Sequence, residues 1–250
     1  MALKLGRRGQ IPPFIAMDVM RAANERAAAG DDVLHLEVGQ PSTPAPSGVL
    51  AAAQAALSRD ALGYTDALGL PRLREAIAGH YRRAYGLTVD PARIVVTTGS
   101  SGAFLLAFLA AFDAGDRVAM AAPAYPAYRN ILTALDLVPV ELPAGPAQRY
   151  QMTLDLLRPA SPIAGLIIAS PANPTGTMLA SRELAAIARY CRDRGIRLVS
   201  DEIYHGIVYG MDVTTALESS AEAIVVNSFS KYFSMTGWRL GWMVVPKEML

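Results

Sequence analysis

At 250 residues with 52% hydrophobic side chains, the chain can build one large α/β domain or two modest ones around a sizeable core. Its 23 Lys and Arg against 22 Asp and Glu leave a net charge of +1, which excludes the strongly basic footprint expected of a nucleic-acid or anionic-membrane binder. The longest strongly apolar helical run, residues 102–112, falls well short of the ~18 residues a membrane span requires. The N-terminal MALKLGRRGQIPPF is basic but has no apolar segment followed by a small-residue cleavage site, so a cytoplasmic location is expected. Cys191 is the only cysteine, which rules out an intramolecular disulfide and reads as a small buried hydrophobe on a helix. His35, His80 and His205 lack metal-ligand spacing; each reads as a surface or locally satisfied histidine, and no metal is expected.

Helical periodicity comes first, over residues 15–30, 47–58 and 70–85, the last with Pro71 in its first turn. A proline-rich turn, residues 41–46, separates the first two. Short β-branched runs then alternate with helical stretches. Strands are expected over residues 93–97, 117–121, 137–141, 165–169, 197–200, 223–227 and 240–245, with crossover helices over 102–112, 125–135 and 182–194. The fold class is therefore α/β: a three-layer αβα arrangement around a mostly parallel seven-stranded sheet. The last strand succeeds its predecessor through an irregular loop, so it is expected to run antiparallel at one side of the sheet.

In open α/β sheets ligands sit beyond the carboxyl ends of the strands, so the residues just past each strand matter most. After the first strand comes Gly99-Ser100-Ser101-Gly102 leading into a helix, an anion cradle of free N–H groups and hydroxyls, though small residues at such turns also occur without any ligand. After the second come Tyr125 and Tyr128, which suit either stacking on a planar ring or ordinary loop packing. After the fourth, Asn173 lies between two prolines that stiffen its backbone. The fifth ends at Asp201, with Tyr204 one helical turn later; an acid at a strand end is by itself commonplace. After the sixth, Ser228, Lys231 and Arg239 share one loop, and the apolar neighbours Phe229, Tyr232, Phe233 and Met235 disfavour a charged ammonium on Lys231. Singly, that lysine reads as a solvated loop residue. Five such sites at C-terminal strand ends together offer partners for a phosphate, a pyridine ring and an aldehyde.

These motifs resemble the class I/II aminotransferases of the fold-type I pyridoxal-phosphate-dependent enzymes, from about Ile11 to the last residue. The segments carrying the resemblance are Leu36-Glu-Val-Gly-Gln-Pro41, Gly63-Tyr64 with Gly69-Leu-Pro-Arg-Leu-Arg74, Asn173-Pro-Thr-Gly176, Asp201-Glu-Ile-Tyr204, and Ser228-Phe-Ser-Lys231 through Arg239. The resemblance implies pyridoxal 5'-phosphate as cofactor and Lys231, Asp201 and Tyr204 as catalytic residues. Lys231 would hold the cofactor as an imine and then shuttle a proton; Asp201 would pair with the pyridine nitrogen; Tyr204 and Asn173 would hydrogen-bond the ring's phenolic oxygen. Tyr125 would stack on the ring, and Arg239, Ser228, Ser100 and Ser101 would anchor the phosphate. Tyr64 would reach the phosphate of a neighbouring subunit, which implies a homodimer, and Gly39 with Asn173 would lie near the substrate.

By the same resemblance, residues 1–45 form an N-terminal arm and the start of a small-domain or dimer segment, and residues 46–250 the cofactor-binding large domain. Family members continue into a smaller C-terminal domain that supplies an arginine for the substrate carboxylate, whereas this sequence stops at Leu250; that small domain is expected to be missing. The implied activity is transfer of an amino group from an amino acid to a 2-oxo acid, with cofactor capture a safer expectation than turnover. Two other functions use the same anchor residues: a fold-type I lyase or other Cα chemistry, and a non-catalytic cofactor-binding regulatory module. No basic helix-turn-helix segment of the kind that would mark such a regulator is found ahead of the core. An inert fragment is the third alternative. The amino donor and acceptor stay open.

Overall fold

The computed structural model describes residues 3–250; Met1 and Ala2, which open the basic N-terminal stretch, lie outside the described residues. Three helices lead into the sheet: α1 (Ile15–Ala28), α2 (Ser47–Arg59) and α3 (Pro71–Tyr85). The first two bury no residue, whereas α3 places Ile77, Ala78 and Tyr81 in the core and stops at Gly86, whose φ of +68° closes the helix in the left-handed region glycine tolerates. Beyond them lie β1 (Ile94–Thr97), α4 (Gly99–Ala111), β2 (Arg117–Ala122), α5 (Pro126–Ala134), β3 (Val138–Pro143), the single turn α6 (Leu154–Leu157), β4 (Gly165–Ala169), α7 (Ser181–Asp193), β5 (Arg197–Asp201), β6 (Ile224–Ser228) and β7 (Gly241–Val244).

A strand stands at each of the seven expected places, and the order across the sheet is β1-β7-β6-β5-β4-β2-β3. All pairings are parallel except those of β7, which runs antiparallel to both β1 and β6. The expected direction of β7 is found, but not an edge position: the strand is inserted between two others. Its residues Gly241, Trp242, Met243 and Val244 are all buried, so both faces and both edges are covered. The β3 edge is instead half-exposed and carries Pro139 and Pro143, residues that a central ladder would reject.

The period-2 alternation of the inner strands divides the core into two layers. Leu166, Ile168, Leu198 and Val225 pack with Ile77 and Tyr81 of α3 and with Leu184 and Ile187 of α7. Their neighbours Ile167, Val199, Ile224 and Val226 face the other way, against Phe104 and Phe108 of α4 and Leu132 of α5. Cys191 lies buried on α7, where desolvation pushes its thiol up to about 12. Among the described residues no helix is long and apolar enough to cross a membrane. Helix α4 is apolar nearly all round and leaves Leu105, Leu106 and Leu109 on the surface.

Candidate active site

The carboxyl ends of β1, β2, β4, β5 and β6 open onto one cavity of about 370 Å³. Ser100, Ser101, Tyr125, Asn173, Asp201, Tyr204, Lys231 and Arg239 all line it. These eight come from five separate turns of the chain, and the parallel strands bring them together because each crossover starts from the same edge.

Asp201, the last residue of β5, forms the floor and is buried. Desolvation pushes its carboxyl up to about 6, a shift that hydrogen bonds from the Tyr128 hydroxyl and the Ile203 N–H oppose. Among the described residues no cation stands within ion-pair distance of it. A buried carboxylate without a counter-charge is costly, and this one faces an open cavity in which a cationic group would lower that cost.

Lys231 reaches the cavity from the β6–β7 loop and donates from Nζ to the Gly39 carbonyl at 2.9 Å. Partial burial lowers its pKa, nearby Arg239 lowers it further, and Asp201 opposes both. The Nζ sits 5.9 Å from the centre of the Tyr204 ring, whose hydroxyl accepts from Asn173 Nδ2 at 3.4 Å. Burial and the Asp201 charge raise the pKa of Tyr204, and also that of Tyr125, so both phenols stay protonated as donors.

The anion cradle forms where α4 starts. Arg239 takes a left-handed backbone (φ +52°), donates from Nη1 to the Thr236 carbonyl at 2.9 Å, and lays its guanidinium over Gly99. A Cβ added to Gly99, itself at φ +74°, would collide with Arg239 Nη2. The backbone is equally tight at Gly241, where a Cβ would come within 3.0 Å of Ser100 N. Free N–H groups, two serine hydroxyls and one guanidinium therefore converge on a single spot.

Three expected residues are not among those lining this cavity: Gly39, which meets it only through its carbonyl on Lys231 Nζ, Ser228 and Tyr64. Ser228 is buried one layer behind, its hydroxyl accepting from the Ser230 N–H at 3.1 Å; it lines a neighbouring cavity, and Ser230 takes the place on the site wall. The cause is the strand itself, since Ser228 is still the last residue of β6. Tyr64 is fully exposed and touches no part of the cavity. Tyr128 needs a correction: it is not at the mouth with Tyr125 but buried in the first turn of α5, donating to Asp201 Oδ2. Tyr125 precedes the helix and stays on the wall; three residues on, the helical turn carries Tyr128 inward.

His205 is satisfied locally, as its sequence context suggested. Its two ring nitrogens meet the Tyr85 hydroxyl at 2.7 Å and the Ser170 carbonyl at 3.0 Å, and desolvation pushes it down to about 4. Glu202, buried behind Asp201, is pushed up to about 7 by desolvation and leaves Oε2 without a hydrogen-bond partner, consistent with a protonated acid.

One rim of the sheet thus gathers an amine, a buried acid with no ion-pair partner among the described residues, and a cluster of donors suited to an anion. The family model "Aminotransferase class I and II" matches residues 31–250, and the chain belongs to that family. Aminotransferases of this class use pyridoxal 5'-phosphate. The chain is 55% identical over 246 residues to the valine–pyruvate aminotransferase of Mycobacterium tuberculosis, covering 97% of this chain and 63% of that protein. It is 33% identical to the aspartate aminotransferase of Geobacillus stearothermophilus, covering 99% of this chain and 65% of that protein. Among solved structures, an aminotransferase from M. tuberculosis superimposes with a TM-score of 0.97 at 54% identity, covering 99% of this chain and 65% of that one. The Thermus thermophilus aspartate aminotransferase with maleate gives 0.95 at 33% identity, covering 99% and 66%. The chain thus spans just under two thirds of the length of the relatives it matches.

Proposed function

We propose that this chain carries the pyridoxal-phosphate site of a transaminase that moves an amino group from an amino acid to a 2-oxo acid. The observation that carries the reading is Asp201: a buried carboxylate with no counter-charge among the described residues, facing a lysine amine and an anion cradle across one cavity. A planar cofactor with a ring cation, an aldehyde and a phosphate fits those three features. When bound, pyridoxal 5'-phosphate supplies an aldehyde that condenses with amines and a ring that withdraws electrons from the substrate Cα.

Lys231, whose ammonium is disfavoured by burial, is the residue that would hold the cofactor through its amine and, when free of it, would carry a proton to and from the reacting carbon. Asp201 would face a cationic ring nitrogen, and the hydrogen bond from Tyr128 favours its ionised form and fixes its orientation. Tyr204 and Asn173 would hold the ring's phenolic oxygen, and Tyr125 would supply an aromatic wall. Arg239, Ser100 and Ser101, with the loop beyond Ser228, would hold the phosphate by charge-assisted bonds. Gly39 and Asn173 border the substrate.

Tyr64, exposed and remote from this cavity, fits a role in the site of a second subunit, and the exposed leucines of α4 are an apolar surface such a homodimer would cover. We assign residues 1–45 to an arm and partial small domain, residues 46–250 to the cofactor domain, and the protein to the cytoplasm. The test is an absorbance spectrum with added cofactor, before and after borohydride. A reducible band must form and be lost in Lys231→Ala. Added amino acid must convert the cofactor to its amino form; release of ammonia or a β-product without that conversion rejects transamination.

A further inference from the structure

The geometry points to His205 as a positioning residue of the cofactor site: its imidazole braces the turn that carries Tyr204 against the turn that carries Asn173. The consequence for the cofactor rests on the transaminase reading above. Tyr204 follows β5 and Asn173 follows β4, and their own link, from Asn173 Nδ2 to the Tyr204 hydroxyl, is long at 3.4 Å. The backbone adds one further long contact, from the Ser170 N–H to the Asp201 carbonyl at 3.3 Å. His205 directly follows Tyr204 and is buried. Its N–H donates to the Glu202 carbonyl at 3.0 Å, closing the Tyr204 turn, and its Nε2 meets the Ser170 carbonyl at 3.0 Å, where the Asn173 turn begins. The Ser170 hydroxyl in turn accepts from the Leu179 N–H at 3.0 Å, past the far end of that turn. One ring therefore joins two loops that leave different strands.

The tautomer follows from the partners. A carbonyl only accepts, so Nε2 carries the proton and donates to Ser170, and Nδ1 accepts from the Tyr85 hydroxyl at 2.7 Å. Burial raises the pKa of Tyr85, which keeps it a donor. Glu202 does not compete for Nδ1: its Oε2 stands 3.6 Å away, and its Oε1 accepts from the Ser200 and Thr215 hydroxyls and the Ala216 N–H. A ring held at both nitrogens has one orientation, so Tyr85 on α3 fixes the ring and the ring fixes the separation of the two turns. Tyr204 and Asn173 are then aligned on one phenolic oxygen. Donors there stabilise its negative charge, and without their alignment the imine proton beside it is harder to remove.

The test has two arms. In the cofactor-free chain, nitrogen-15 spectra of its 3 histidines, with the His205 signals identified by their loss in His205→Gln, should show a neutral ring protonated at Nε2 at pH 7. A ring protonated at Nδ1, or at both nitrogens, overturns the proposal. In the cofactor-loaded chain, the pH midpoint of the absorbance band is compared among variants. Glutamine places an amide N–H where Nε2 stands, whereas asparagine reaches only the Nδ1 position. His205→Gln should therefore keep the midpoint, while His205→Asn and His205→Ala should raise it by about half a pH unit, a threefold change in the acid constant. That rise should vanish in an Asn173→Ala background, where the brace has nothing left to align with Tyr204. A midpoint that neither asparagine nor alanine moves, an equal rise in all three variants, or a rise that persists without Asn173 overturns the proposal. A chain that forms no band at all overturns the cofactor reading instead, and the nitrogen-15 arm still decides the brace.

Discussion

Replacing Tyr128 with phenylalanine removes one hydroxyl and little else. The ring packs edge to face on Phe104 at 5.1 Å and on Tyr125 at 5.5 Å, contacts that phenylalanine keeps. The lost group is the donor to Asp201 Oδ2. A hydrogen bond to a charged partner is worth about 1.5–3 kcal/mol, and one pH unit corresponds to about 1.4 kcal/mol, so the carboxyl midpoint should rise by about 1–2 units. From a starting value of about 6, it reaches about 7–8. At pH 7 the ionised fraction then falls from about nine tenths to about half or less.

The direct assay is a carbon-13 carboxyl titration of Asp201 in the cofactor-free chain, with Tyr125→Phe as a control that leaves the Asp201 hydrogen bond in place. Cofactor affinity gives an independent check, because only an ionised Asp201 holds a ring cation: the Tyr128→Phe deficit should be large near pH 6.5 and shrink above pH 9. A midpoint that does not move would refute the reasoning, since Asp201 would then owe its ionisation to something other than Tyr128.

Gly99→Ala places a methyl group where the Arg239 guanidinium lies and also strains a left-handed residue, so cofactor affinity should fall tenfold or more with the fold retained; an unchanged dissociation constant in a fluorescence titration would separate Arg239 from the anion cradle. Gly165→Ala in central β4 drives a Cβ into the Phe112 ring, an overpacking cost of about 1–3 kcal/mol that should lower Tm by several degrees and be relieved by Phe112→Leu. Glu202 titrates at about 7 against an ordinary 4.5, so the folded chain loses about 3 kcal/mol as pH rises from 4.5 to 7, and the loss is complete above 7. Glu202→Gln should flatten that decline in urea melts at successive pH values. His205 acts with the opposite sign: held near 4 against 6.5, it loses stability as pH falls across that interval, a slope that Glu202→Gln should leave in place.

The parts of this architecture legible in the sequence are those set by local pattern. Each strand run ends in a polar or small-residue motif, and the parallel crossovers then have to gather those motifs at one rim. The parts not legible are set by contacts between distant segments. The slot of β7 depends on pairing with β1, about 145 residues away, which no local period encodes. Tyr125 and Tyr128 read alike until the start of α5 is known, because only the helical turn decides which ring faces the cavity and which goes inward. The apolar part of the cavity wall, from α1 and Val38, is hidden too, although Met17 and Met20 stand at helical spacing; α1 buries nothing, so its period says only that it has an apolar face, not what that face meets. Ser228 yields its expected place to Ser230, two residues on, because β6 runs one residue past its expected end at Asn227 and keeps Ser228 in the strand.

The slot of β7 also explains why a single loop can carry both the Lys231 amine and the Arg239 guanidinium to the cavity. β6 ends at the rim and β7 returns from it, so the connection between them lies wholly at the cavity, with Lys231 near its start and Arg239 near its end. Had β7 run parallel, its first residue would lie at the opposite edge of the sheet, and Arg239 with it. Because β7 instead enters between β6 and β1, Arg239 arrives beside the turn after β1, where α4 begins. The two backbones meet at Gly241, whose notional Cβ would lie 2.8 Å from the Gly99 carbonyl carbon, so a side chain there would push β7 and Arg239 away from the start of α4.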